Sequence, residues 1–112
     1  MATKQSTIDY IQDQLVSTGN VSARKMFGEY ALYCNNKVVG VVCDDTLFIK
    51  ITEAGKEFVG KSYEEGIPYP GAKFSMVIDD DQIEDREWLS SLILITAESL
   101  PQPKQKKLTK KK

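Results

Sequence analysis

The stretch from Arg24 to Ile51, RKMFGEYALYCNNKVVGVVCDDTLFIKI, decides the fold. Three runs rich in Val, Ile, Tyr and Phe are parted by Asn35-Asn36 and Asp44-Asp45, residues that tolerate positive φ in two-residue hairpin turns. The reading is an antiparallel meander of three strands. Counting outward from the turns pairs Leu32 with Val39, Tyr30 with Val41 and Val41 with Phe48, because directly opposed residues share a face. One face then carries Tyr30, Leu32, Cys34, Val39, Val41, Cys43 and Phe48. The other carries Phe27, Ala31, Tyr33, Val38, Gly40, Val42, Leu47, Ile49 and Ile51. Neither face is made for water. A small antiparallel sheet commonly packs one face and wets the other, so two apolar faces call for two covers: the chain's own helices, and a twin subunit, a partner protein or another layer of the same chain.

Outward from the meander the elements follow from local chemistry. Ser6-Thr7-Ile8-Asp9 has the form of a capping box, Ile8, Ile11 and Leu15 follow at helical spacing, and Gly19-Asn20 supplies a stop. Thr52 is placed to cap a short helix from Glu53 to Val59, with Phe58 and Val59 inward, Gly60 ending it and Gly55 weakening it. Lys61 to Ala72, KSYEEGIPYPGA, is an irregular stretch whose Tyr63, Ile67 and Tyr69 either pack on the domain or face a partner. Phe74 to Ile78 reads as a fourth strand. Asp79-Asp80-Asp81 with Glu84 and Asp85 complement the dipole of one helix running to about Leu100, striped by Trp88, Leu89, Leu92, Ile93, Ile95, Thr96 and Leu100. Pro101 and Pro103 end it. The fold class is α+β: two layers, an antiparallel sheet of a three-stranded meander plus a fourth strand, packed with N- and C-terminal helices in the order α-β-β-β-α-β-α. The domain spans 1–103, and 104–112 is a flexible lysine-rich tail.

At 112 residues, 41% hydrophobic and 28% charged, the chain has the makings of one soluble core. Nothing in it approaches a membrane span, and MATKQSTIDYIQ lacks the pattern of a signal peptide, which places it in the cytoplasm with no membrane partner. Cys34 and Cys43 share a face in the counted register without opposing each other, so they read as small core hydrophobes, with Lys37 the one cation near Cys34. The net charge of −1 hides an asymmetry: six of the fifteen basic residues lie in the tail, and residues 1–103 hold nine basic against sixteen acidic groups, a net of −7.

Chemistry is sparse. The chain has no histidine, so the commonest general base and zinc ligand is missing, and two cysteines alone make no zinc site. Three contiguous aspartates without a glycine at the turn do not match a calcium loop, and there is no glycine-rich phosphate loop. The carboxylates fall in turns and helix starts that explain them. The reading is a non-enzyme with no catalytic residue, no metal and no cofactor.

The run Arg24-Lys25-Met26-Phe27-Gly28-Glu29-Tyr30-Ala31-Leu32-Tyr33, with Tyr69-Pro70-Gly71-Ala72-Lys73 and Asp85-Arg86-Glu87-Trp88-Leu89, resembles the TfoX (Sxy) N-terminal domain family, bacterial regulators of natural competence. The resemblance extends to about Pro101. It implies a secretion-chaperone type of fold and a role in competence or transcription regulation. Full-length regulators of that kind add a helical C-terminal domain, so the expectation here is a stand-alone N-terminal domain.

A cytoplasmic regulatory domain acting by protein contact, with a homodimer among its options, is the leading expectation. Its candidate contact residues are Arg24, Lys25, Phe27, Tyr30, Tyr33, Tyr69 and Trp88. One alternative is nucleic-acid binding by Lys104, Lys106, Lys107, Lys110, Lys111 and Lys112 together with Arg24-Lys25. Against it, the tail has no aromatic to stack on bases and the domain it hangs from is acidic. The other is a small-molecule sensor with a pocket where Ala31 and Gly40 leave the sheet bare.

Overall fold

The hairpin turns obey their residues. Asn35, Asn36, Asp44 and Asp45 all adopt positive φ, from 52° to 68°, as two-residue turns of the mirror-image type require. The computed structural model describes residues 3–26 and 29–101. Six strands form one antiparallel sheet: β1 (Val21–Met26), β2 (Glu29–Cys34), β3 (Lys37–Cys43), β4 (Thr46–Ile49), β5 (Glu65–Gly66) and β6 (Ser75–Ile78). Their spatial order is β1-β2-β3-β4-β6-β5. The helices are α1 (Gln5–Gln14), α2 (Glu53–Val59), α3 (Asp80–Glu84) and α4 (Arg86–Ser99). The expected α+β architecture is present, with two strands more than the sequence suggested: Val21–Met26 pairs along its whole length instead of merely leading in, and Glu65–Gly66 adds a short ladder to β6.

The counted register fails at one place, and the consequence is large. Cys34 opposes Lys37 and Tyr33 opposes Val38 as the turn dictates, but Leu32 opposes Gly40, leaving Val39 as the extra residue of a bulge. Tyr30 therefore faces Val42, not Val41, whereas Val41 does face Phe48. Because side chains alternate with period two, that single residue moves the far half of β3 and all of β4 to the opposite side. Tyr30, Leu32, Cys34, Val39, Val42, Leu47 and Ile49 now share one face with Met76 and Ile78, and all belong to the buried core. Cys34 and Cys43 lie on opposite faces, not on one, and both are free thiols.

Helices cover only that core face. Ile8, Ile11 and Leu15 from the N-terminal segment and Leu89, Leu92, Ile93 and Ala97 from α4 close over it, each at most 2% exposed. A fully buried Leu or Ile contributes about 1.5–3 kcal/mol, so this layer is the main source of stability. Gly55 leaves room for the helix's own cap: a Cβ there would stand 2.9 Å from Thr52 Oγ1, while Leu92 Cδ1 and Met76 Cε, 3.5 Å away, would be in ordinary contact. The glycine that looked like a weakness in the helix serves its start.

Acids cap two of the helices and a threonine a third. Asp79 accepts from Gln82 N at 2.8 Å while Gln82 Oε1 accepts from Asp79 N at 2.9 Å, a reciprocal box that starts α3. Asp85 then interrupts the chain and accepts from Trp88 N at 3.1 Å, so the single expected helix is two. Thr52 caps α2 as expected, accepting from Gly55 N at 3.0 Å. Ser6 to Asp9 forms no box: α1 starts after Lys4, and Asp45 in the β3–β4 turn accepts from Lys4 N at 2.8 Å and from Thr7 Oγ1 at 2.9 Å. At the other end, Lys37 Nζ donates to the Ala97 and Leu100 carbonyls at 2.8 and 3.0 Å, placing its charge on the C-terminus of α4.

Candidate protein-interaction face

Among the described residues, the second face of the sheet has no helix on it. By cross-strand pairing it carries Ala31, Tyr33, Val38, Val41, Cys43, Phe48 and Val77, none of which belongs to the core cluster. Ala31, Cys43 and Phe48 are buried, while Tyr33, Val38, Val41 and Val77 are half-buried. Arg24 shares this face through its pairing with Ala31, and its guanidinium carbon lies 5.4 Å from the Tyr33 ring centre.

The segment between β5 and β6 overhangs one end of this face. Gly40, Val41 and Lys50 from the sheet and Pro68, Tyr69 and Lys73 from the loop line an open depression of about 200 Å³. That is below the roughly 300–1,000 Å³ of ordinary small-molecule sites and suits one side chain. Ala31 takes no part in it. The bareness expected at Gly40 is already used, since a Cβ there would stand 2.2 Å from the Phe48 carbonyl oxygen. Ile67, Tyr69 and Phe74 in and beside this loop are 49%, 48% and 59% exposed, so the segment displays its apolar residues instead of packing them away.

The residues singled out in the sequence do not form one patch. Arg24, Tyr33 and Tyr69 lie on the uncovered face or its rim. Lys25 is exposed but alternates to the helix side, opposite Tyr30. Tyr30 is 8% exposed, part of the core, and its hydroxyl donates to Gln5 Oε1 at 2.9 Å, so it has no surface to offer a partner. Trp88 sits in the helix layer, its ring 5.6 Å from that of Phe58. Phe27, and Lys104, Lys106, Lys107, Lys110, Lys111 and Lys112 with the expected tail, lie outside the described residues. Sequence reasoning missed Val38, Val41, Phe48, Lys50, Lys73 and Phe74. The bulge hid Val41 and Phe48, Val38 already shared a face with Tyr33 in the counted register without being singled out, and only the proline and glycine content of residues 66–71 hinted at the others.

Neither cysteine is set up as a nucleophile. Burial pushes the Cys34 thiol up, more than Lys37 pulls it down, and that lysine's amine is held by the α4 carbonyls. Burial also pushes Cys43 up, helped by Glu29 and Asp44 beside it. Both are the reverse of an activated thiolate. Among the described residues there is no cluster of three or more His, Cys, Asp or Glu arranged to hold a metal, and no helix long and apolar enough to cross a membrane.

The chain is 44% identical over 107 residues to an uncharacterized 12.7 kDa protein in the trpE 5′ region of Spirochaeta aurantia, an alignment covering 96% of this chain and 91% of that one. The family described as TfoX N-terminal domain matches residues 13–99, from the last turn of α1 to the end of α4. The chain belongs to the TfoX N-terminal domain family.

Proposed function

We propose that this chain is a bacterial, cytoplasmic regulatory domain that works by protein contact through the uncovered face of its sheet and carries out no reaction of its own. Membership of the TfoX N-terminal domain family supports a regulator-like role, and the resemblance to competence regulators makes competence or transcription the process it serves. The observation that carries the reading is the one-sided placement of the helices, which leaves Tyr33, Val38, Val41 and Val77 of a six-stranded sheet without a second layer. Such an apolar patch beside polar surroundings marks an interaction surface.

Photo-crosslinking tests this directly. A benzophenone side chain at Val38 on the open face, and another at Val16, 66% exposed in the turn after α1, are compared in the native cytoplasm. A specific adduct at Val38 and none at Val16, lost from the purified pair on Val41→Asp, is the expected result. Equal labelling at both positions, or none at Val38, defeats the reading.

A further inference from the structure

We infer that the uncovered face takes an acidic segment with an aliphatic or aromatic anchor, in preference to a second copy of itself stacked face to face. This rests on the protein-contact reading above and names the chemistry of the partner.

The argument is one of charge. In a domain whose first 103 residues carry a net −7, eleven of the sixteen carboxylates lie on helices or their caps, away from the open face. Strand alternation brings Arg24 to that face, and Lys50 and Lys73 border the depression at its loop end. All three are exposed, and the ion pair found among the described residues is Arg86 with Asp13 at 3.4 Å, in the helix layer. Two carboxylates share the face: Glu64 at the β5 edge, exposed and set opposite Val77 by backbone pairing, and Glu29, which alternates with Ala31 and Tyr33 at the hairpin end. Glu29 already accepts from Thr3 Oγ1 and, at 3.2 Å, from Asp44 N. The open face is therefore apolar and basic on an acidic body.

Two such faces brought together would stack the three cations of each copy against one free carboxylate, Glu64, of the other. An acidic chain meets the opposite situation. One apolar side chain fills the depression of about 200 Å³ floored by Gly40 and Val41 and walled by Tyr69, while carboxylates on either side of it reach Lys50 and Lys73.

The test is an amide ¹⁵N–¹H titration of the whole chain with three blocked synthetic heptapeptides: DEDLDED, its charge-reversed form KRKLKRK, and DEDSDED without the anchor. The expected result is saturable shifts at Gly40, Val41, Ala72 and Ser75 with the first peptide, and at least about tenfold weaker binding of the other two. Affinity falls between about 50 and about 200 mM salt. The double variant Lys50→Glu/Lys73→Glu reverses the preference between DEDLDED and KRKLKRK. Equal binding of the charge-reversed peptide, shifts confined to other surfaces, no binding at millimolar peptide, or a dimer in light scattering whose contacts map to this face would each overturn the inference. The two readings fail separately. If the crosslinked partner is lost on Val41→Asp but indifferent to Lys50→Glu/Lys73→Glu, the face is an interface and the acidic occupant is wrong. If Val41→Asp changes nothing, both fall.

Discussion

The guanidinium of Arg24 on β1 lies 5.4 Å from the centre of the Tyr33 ring on β2, holding the aromatic side chain on the face that no helix covers. At an exposed site such a pair is worth about 0.5–1 kcal/mol, so Arg24→Ala lowers stability in a urea melt by no more than about 1 kcal/mol. The ring itself is placed to be an anchor. Tyr33→Ala should weaken partner binding by about 2 kcal/mol or more, measured by calorimetry, with little change in far-ultraviolet circular dichroism.

Gly40 is where β3 and β4 come too close for a side chain. A Cβ at this position would stand 2.2 Å from the Phe48 carbonyl oxygen, a backbone atom that cannot turn aside. Gly40→Ala must push the two strands apart and is expected to cost about 1–3 kcal/mol by chemical denaturation. An unchanged midpoint would show that the strands separate freely there.

Asp45 ties the β3–β4 turn to the start of α1, and the tie is pH-dependent. Hydrogen bonds from the Lys4 backbone and the Thr7 hydroxyl hold its carboxyl below the ordinary value of 3.8. A group whose folded pKa is depressed contributes stability that is full above its unfolded pKa and is lost as the pH falls through the lower folded one. Asp45→Asn keeps a residue suited to φ of 61° and removes the charge. The variant should melt below the parent at neutral pH, and the two melting temperatures should converge as the pH drops below 3.8. A gap that persists at low pH would mean that the carboxylate charge does not contribute.

Thr96, on the buried side of α4, is fully buried, and its Oγ1 finds no hydrogen-bond partner among the described residues. Leaving a hydroxyl unsatisfied in an apolar layer costs about 1–3 kcal/mol, and valine has nearly the same shape. Thr96→Val should therefore raise the unfolding free energy by about 1 kcal/mol. A loss of stability would mean that the hydroxyl has a partner after all.

Much of the fold is legible in residues that fix the backbone. The two pairs of turn residues took the positive φ their side chains allow, Thr52 and Asp85 cap helices as their chemistry suggests, and Gly60 ends α2. The faces of the sheet were not legible, because Val38-Val39-Gly40 gives no compositional sign of an extra residue and one unread bulge inverts everything after it. The start of α1 was misread for a related reason: its cap comes from Asp45, far along the chain, and no local pattern encodes a partner that only folding brings near. For the candidate interface, Tyr33 and Tyr69 were visible as aromatics in apolar runs. Lys50 and Lys73 acquire meaning only once the loop is seen beside β3 and β4.

Among the described residues the order β1-β2-β3-β4-β6-β5 leaves two unpaired rims. One belongs to β5, only two residues long and too brief to template another chain. The other is β1, six residues long with its outward N–H and C=O groups unpaired, where Arg24 and Lys25 are charges of the kind that blunt an edge. Arg24→Val with Lys25→Thr would leave the packed layer intact yet turn that rim into a seed for end-to-end strand addition, read as thioflavin fluorescence that grows with time and protein concentration. That outcome would give the adjacent basic pair a use even when no partner is present: keeping the molecule dispersed.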